Sequence, residues 1–224
     1  MKTIRCSILC FVVLLLAAPM LRGQDFSKYR HFTFGMSLTR VLERTDQKMA
    51  DVKVIHGRPA LIQELTWWPP NLPGTSYQYD SVQEMLFSFY NGELYKISVI
   101  YDRTATEGLT DEDMMKSVSA KYGPATYVAL EIDLMTNEQY EVRQKPVASW
   151  EDSQYSFNLV RSSFSGGFEL LIYAKRVNAE AEAALAEAVK LEKQEEPQRE
   201  AERQKKETDD LEVTRQKNQK SFRP

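Results

Sequence analysis

The chain has 224 residues, of which 42% are hydrophobic and 27% are charged. This ordinary composition excludes a collagen-like repeat, a wholly disordered chain and a protein with many membrane spans. The first 23 residues read as a leader and residues 178–224 hold 22 charges, so residues 24–177 are left to build a folded body. A body of this size buries about 70% of its unfolded surface, which is enough for a core without disulfides.

The N-terminus has the order of a secretory signal. Lys2 and Arg5 precede an apolar run over 8–21, which Arg22 and Gly23 follow. The run is shorter than the about 20 apolar residues that a spanning helix needs, and its basic start and small closing residue are typical of a cleaved signal peptide. We therefore predict a signal peptide over 1–23, export to the periplasm or the exterior of a bacterial cell, and no membrane span after cleavage.

The only two cysteines, Cys6 and Cys10, lie inside this leader. We therefore expect the mature chain to have no disulfide, no thiolate metal ligand and no cysteine nucleophile. Cys10 stands ahead of most of the apolar run, whereas lipid attachment requires a cysteine at the cleavage site. An exported chain without disulfides favours a bacterial periplasmic or secreted protein.

The charge pattern argues against nucleic acid as a partner. Removing Lys2, Arg5 and Arg22 leaves 26 basic against 32 acidic residues, a formal charge of −6. Binding to phosphates needs clustered Lys and Arg, whereas the basic residues here are scattered through the body or alternate with Glu in the tail.

The first predicted element is a helix that begins after Ser37. Leu38, Val41 and Leu42 recur at the i, i+3, i+4 spacing of one apolar helical face. The pattern then fades, and a strand is predicted over 60–68.

The clearest local signal is a hairpin. The runs 82–90 and 93–101 are rich in β-branched and aromatic residues. Between them stands Asn91-Gly92, the pair that best tolerates the two positive φ angles of a type I′ turn.

A two-residue loop also fixes the register of this hairpin, which predicts Phe89 opposite Leu94 and Phe87 opposite Lys96. Both faces of the hairpin carry apolar groups. We therefore expect helices over one face of the sheet and partial cover over the other.

A second helix is predicted from Thr110 to Tyr122. The hydroxyl of Thr110 can accept a hydrogen bond from the amide of Asp113, and acidic residues in the first turn favour the positive end of the helix dipole. Gly123 then ends the helix. Three further strands are predicted as a meander, over 147–151, 155–161 and 168–177.

The two halves of the body, 32–103 and 108–177, repeat one order: a helix opened by Ser or Thr, a Gly/Pro stop, a strand with Trp and a hairpin. Gly35-Met36 precedes the first helix, and Gly57-Arg58-Pro59 follows it. These motifs resemble the tandem helix-plus-antiparallel-sheet repeat of the β-lactamase-inhibitor fold and the single unit of the small outer-membrane assembly lipoproteins. The resemblance implies an α+β fold in which two helix-plus-antiparallel-strand repeats form one layered body. The inhibitors are disulfide-bonded and the lipoproteins acylated, and this chain can be neither, so no activity is carried over.

Residues 178–224 are predicted to form a charged helix that frays into a disordered tail. Pairs such as Glu195 with Arg199 stand at i, i+4 in the favourable order. Pro197 is expected to interrupt the helix or to start a second one. Since no heptad pattern is sustained, a long coiled coil is not predicted. A partner-binding tail that acts as a structural tether is an alternative.

A search for catalytic groups finds no signature and no motif for a cofactor or a metal. His31 and His56 are the only histidines, so a two-His metal site or a serine triad would have to recruit one across a distance. A glycosidase-type carboxylate pair would make the chain a hydrolase of envelope or extracellular polysaccharide, which is a second alternative. The candidate carboxylates are Glu64, Asp80, Glu84 and Asp102.

The leading hypothesis is a non-catalytic, exported, protein-binding chain whose partner is unidentified. Its candidate interface is the aromatic loop that contains Trp67, Trp68, Tyr77 and Tyr79. Adjacent strand residues face opposite sides of a sheet, so one of the two tryptophans points away from whichever side the other packs on. Exposed aromatic anchors beside a sheet are common at protein interfaces. The competing interpretation is that the loop folds back and buries both indoles.

Overall fold

The computed structural model describes residues 25–70, 81–126, 144–162 and 167–223. The predicted leader, the loop residues Tyr77 and Tyr79, and the segment 127–143 lie outside the described residues. The described part combines helices with antiparallel strands and ends in a long helix, which confirms the α+β class.

The described residues form nine strands, three α-helices and one short 3-10 turn, Met49–Asp51. In chain order they are β1 (Lys28–Tyr29), β2 (Phe32–Thr33), α1 (Leu38–Thr45), β3 (Lys53–His56), β4 (Ile62–Trp67), β5 (Val82–Tyr90), β6 (Glu93–Tyr101), α2 (Asp111–Tyr122), β7 (Gln144–Glu151), β8 (Tyr155–Ser162), β9 (Phe168–Ala174) and α3 (Lys175–Ser221).

Seven of the strands form one antiparallel sheet in the order β3-β4-β5-β6-β9-β8-β7, while β1 and β2 form a separate small hairpin. The meander β4-β5-β6 and the predicted meander β7-β8-β9 meet through their last strands, where Ile97 pairs with Ile172 and Val99 with Leu170. The internal repeat itself stays a prediction.

The main core lies on one face of this sheet, under α1, α2 and the β1-β2 hairpin. The helices contribute the residues that their spacing predicts, Val41 and Leu42 from α1 and Met114 and Val118 from α2. Each fully buried side chain of this kind stabilises the fold by about 1.5 to 3 kcal/mol. The largest side chains that are completely buried include Trp150, Phe87, Phe89 and Phe157.

The N-cap of α2 forms the hydrogen bond that the sequence predicts. The Thr110 hydroxyl accepts a hydrogen bond from the amide of Asp113 at 3.2 Å. The Asp113 carboxylate accepts one from the amide of Thr110 at 3.0 Å. Ser37 occupies the N-cap of α1 without a side-chain capping bond. That helix is held instead by the hairpin turn, since the amide of Leu38 donates to the carbonyl of Gly92 at 2.9 Å.

The predicted hairpin register is half correct. Phe89 lies opposite Leu94 as expected, but Phe87 pairs with Ile97 instead of Lys96, because a β-bulge shifts the register between Ser88 and Phe89. Without the bulge, Lys96 would face the core and Ile97 would leave it. The extra residue keeps apolar side chains opposite Phe87, and this gain in burial offsets the local disruption of the ladder.

The first third of α3 covers part of the opposite face. Ala181 and Ala184 pack with Ile62 and Tyr95 in a second, smaller core cluster. Small side chains let the helix backbone approach the strands closely. The predicted partial cover of this face is thus supplied by α3.

Two predicted strands have different bounds in the structure, and one strand has no counterpart among the predictions. The strand predicted over 168–177 ends at Ala174, because α3 already begins at Lys175 and Val177 packs in the second cluster. The strand predicted over 60–68 covers Ile62–Trp67, and its partner β3 was not predicted at all. The four residues of β3, Lys-Val-Ile-His, do not alternate between polar and apolar, since its ladder is irregular between Val54 and His56.

The tail prediction also changes, since α3 continues through Pro197 to Ser221. A proline ring removes one helical N–H bond and leaves the carbonyl four residues earlier without its partner. Here that residue, Lys193, is exposed, so water can satisfy its carbonyl. The Arg199–Glu195 ion pair at 2.6 Å spans the proline and adds local support.

Candidate functional site

The structure divides the two tryptophans of the predicted interface between core and surface. Trp67 packs with the main core, with its ring 6.0 Å from that of Phe32 and 6.5 Å from that of Phe87. Trp68, in contrast, is 60% exposed. Of the two described residues of the predicted interface, Trp68 is therefore the one that a partner can reach.

One further exposed apolar residue, Met49, accompanies Trp68 at the β3 edge of the sheet. Lys53 pairs with Glu64 in the antiparallel ladder. Met49 precedes Lys53 by four residues and Trp68 follows Glu64 by four, so both leave the same end of the β3-β4 pair. Met49 is 58% exposed. Val54 on β3 is 55% exposed, but it pairs with Gln63, which lies on the Trp67 face of β4. We call Met49 and Trp68 together the Trp68 surface.

A defined turn holds Met49 in place. The carboxylate of Asp51 accepts the amide of Lys48 at 2.8 Å, and the amide of Asp51 donates to the carbonyl of Lys48 at 2.9 Å. These reciprocal bonds fix the short 3-10 turn that carries the methionine. The apolar side chain is thus presented on a structured turn.

The edge strand itself is poorly suited to extending the sheet. β3 is only four residues long, its ladder is irregular between Val54 and His56, and Lys53 is exposed on it. Short length, irregularity and an edge lysine all oppose pairing with another strand. A partner at this corner would therefore be held by side-chain contact with the Trp68 surface.

The candidate carboxylates do not form a described pair. Asp80 lies outside the described residues. Asp102 caps a turn, since its carboxylate accepts a hydrogen bond from the amide of Ala105 at 2.9 Å. Glu64 stands opposite Ser88 on β5, and Glu84 lies four residues away along that strand, so the two backbone positions are about 13 Å apart. The two glutamates are therefore not cross-strand neighbours.

Glu64 nevertheless has an unusual environment. Burial raises the pKa of its carboxyl, and the nearby ammonium groups of Lys53 and Lys96 offset part of this effect. The same carboxylate and Glu182 of α3 contribute, after burial, to raising the pKa of Tyr95 to about 12. Glu64, Tyr95 and Glu182 thus lie near one another in a partly buried polar row beside α3.

His56 connects the sheet to α3. The sequence placed it before a helix stop, but it ends β3, and its Nδ1 lies 3.1 Å from Glu192 Oε1. Arg58 binds Glu195 of the same helix through both carboxylate oxygens, at 3.1 and 3.0 Å. Sequence reasoning could not find these contacts because their partners are more than 130 residues apart, 136 and 137 respectively.

Across residues 25–70, 81–126, 144–162 and 167–223, no three His, Cys, Asp or Glu side chains are grouped to hold a metal ion. Within the same ranges no helix combines the length and apolar character needed to cross a bilayer.

Comparison with known proteins finds no family model, no curated protein and no solved structure that the chain matches.

Proposed function

We propose that this chain is an exported, non-catalytic binding protein that contacts a protein partner through the Trp68 surface. The observation that carries the proposal is the 60% exposure of Trp68 at the same end of the β3-β4 pair as the exposed Met49, in a body whose other large aromatic side chains are mostly buried. Burying an indole of this exposure against a partner removes a large apolar area from water.

The residue types agree with this proposal. Tryptophan is among the residues most enriched at the energetic centres of protein interfaces, and methionine adapts to irregular partner surfaces. The exposed Lys53 pairs with Glu64, on the face of β4 that leads to Trp68, and would form part of a polar rim. Side-chain anchoring is also consistent with an edge strand that resists pairing.

The test compares proteins captured by the intact chain and by Trp68→Ala, with Leu109→Ala as the matched control. Leu109 is also an exposed large apolar residue, at 37%, but it lies before α2. We expect Trp68→Ala to weaken binding of the purified partner about thirtyfold or more, which corresponds to about 2 kcal/mol. Leu109→Ala is expected to bind as the intact chain does.

If the intact chain and Trp68→Ala bound every captured partner with equal affinity, the Trp68 surface would be excluded as the binding site. A partner lost equally in the Leu109→Ala variant would point to general stickiness of apolar side chains instead of a site.

A second candidate function is a structural tether through the distal part of α3. The observation that favours it is that residues 196–223 are all exposed, so about 40 Å of helix presents its whole circumference. Removing residues 197–224 is expected to change the assembly state if the tether function is correct. Unchanged assembly, measured by light scattering, would eliminate it.

Export is part of the proposal and has its own test. The apolar run over 8–21 and Gly23 after it favour cleavage of the leader. N-terminal sequencing of the secreted protein is expected to begin at Gln24. A chain that retains Met1 and stays inside the producing cell would contradict export.

A further inference from the structure

Three tyrosines and two cationic side chains converge where the β1-β2 hairpin meets β6 and α2. Tyr29 is 5% exposed and Tyr122 is 6% exposed. Tyr101 is hydrogen-bonded to Tyr29. Since these residues come from three elements that are distant in sequence, no motif predicts the cluster.

The cations lie against the tyrosine rings. Lys121 Nζ is 5.5 Å from the ring centroid of Tyr29 and 5.3 Å from that of Tyr122, and Arg30 Cζ is 5.6 Å from the Tyr29 centroid. Arg30 has a φ of 53°, a backbone conformation uncommon for a residue other than glycine. Arg30 stands in the two-residue turn between β1 and β2, and hairpin turns of this length commonly use a positive φ.

One polar atom of this cluster lacks a partner. The hydroxyl of Tyr122 is buried and has no hydrogen-bond partner within the described part of the chain. An unsatisfied buried hydroxyl is costly and is rare in native structures, where a bound water or ion commonly explains it.

Two cationic side chains, Lys121 and Arg30, and one carboxylate, Asp25, lie near this hydroxyl. Burial, followed by the neighbouring Tyr29, raises the pKa of Tyr122, so its phenol keeps its proton at neutral pH. Lys121 provides an ammonium group, and its pKa is lowered by burial and then by nearby Arg30. The adjacent carboxylate, Asp25, is already bound to Lys28 at 2.7 Å and to the Ser27 hydroxyl at 2.5 Å. A further, negatively charged hydrogen-bond acceptor would give the Tyr122 hydroxyl a partner and would lie beside the positive charge of Lys121.

We propose that Tyr122 and Lys121, with Arg30 beside them, form a binding site for a small carboxylate anion. One carboxylate oxygen accepts a hydrogen bond from the Tyr122 hydroxyl, and the other faces the Lys121 ammonium group. A planar, singly charged group with two acceptors matches these two donors. Phosphate would bring further oxygens that the buried phenol cannot satisfy.

The test is thermal unfolding of the full chain at rising acetate concentration, with sodium chloride holding the ionic strength constant. Acetate that binds only the folded state is expected to raise Tm in proportion to the logarithm of its concentration. Tyr122→Phe and Lys121→Met are each expected to weaken the acetate response about tenfold or more. In acetate-free buffer Tyr122→Phe is expected to match or exceed the intact chain in Tm, because it removes only an unpaired buried oxygen.

Two control variants separate the site from general effects. Lys116→Met removes an exposed ammonium group of the same helix, and Tyr155→Phe removes the hydroxyl of a ring that stacks on Phe34 at 5.4 Å. Both are expected to keep the full acetate response. No saturable response in the intact chain would mean that the hydroxyl holds water only and would overturn the proposal. An equal response in Tyr122→Phe, or tighter binding of phosphate, would also overturn it.

Discussion

Trp67 and Trp68 are neighbours in the chain, yet Trp67 packs edge-on against Phe32 in the core while Trp68 is 60% exposed. The alternation of side chains along β4 explains this division. It separates a residue that stabilises the body from one that is available to a partner.

This division predicts opposite effects of two adjacent substitutions. Trp67→Ala is expected to lower the free energy of unfolding by about 3 kcal/mol or more, because it leaves a cavity beside Phe32 and Phe87. Trp68→Ala is expected to change it by about 0.5 kcal/mol or less. Urea unfolding followed by far-ultraviolet circular dichroism measures both. Comparable losses for the two variants would contradict the assignment.

A second prediction concerns the hairpin turn. Gly92 has a φ of 83°, and a Cβ built there meets no atom within 4 Å. Gly92→Ala is therefore expected to destabilise by about 1 to 2 kcal/mol through backbone conformation alone. Gly57 also has open space but lacks a positive φ, so Gly57→Ala is the matched control and is expected to be neutral or stabilising by up to about 1 kcal/mol. Similar losses in both variants would refute the conformational explanation.

A third prediction concerns pH. The folded-state pKa of Glu64 lies above its ordinary value of 4.5 because of burial. A carboxyl with a raised folded pKa favours the folded state most when it is protonated, so this contribution is present below 4.5 and is lost as pH rises through the folded value. Glu64→Gln is therefore expected to stabilise the protein more, relative to the intact chain, at pH 7.5 than at pH 3.5, in urea unfolding.

Lys53→Met provides the second arm of this experiment. The Lys53 ammonium group lowers the pKa of Glu64, so removing it is expected to enlarge the loss of stability between acid and neutral pH. A Lys53→Met variant with a smaller loss than the intact chain would show that the assumed charge interaction is absent.

A fourth prediction separates the two parts of α3. Truncation after Glu196 is expected to leave Tm unchanged, because residues 196–223 are exposed. Truncation after Val177 removes Ala181 and Ala184 from the second core cluster and exposes Ile62. It is expected to cost about 2 kcal/mol or more. Equal Tm values for the two truncations, measured by calorimetry, would show that α3 does not stabilise the sheet.

Local interactions made much of the fold predictable. The Asn91-Gly92 turn, the Thr110 cap and the Gly123 stop depend on a few adjacent residues, so the hairpin and α2 could be placed correctly from their sequence. The candidate site was only half predictable. Alternation on a strand required one tryptophan to face away from the other, but it did not indicate which one.

The sequence by itself determined the α+β class, both hairpin strands and both short helices, because propensity, capping and turn chemistry act over a few residues. Only the tertiary structure decided the bulge that keeps Lys96 out of the core, the docking of α3 on the sheet and the assembly of Tyr29, Tyr101 and Tyr122. These features depend on packing between distant segments. The free energy gained by burying Ile97 or Ala181 is set by which surface meets them, and that surface is formed only when the chain folds.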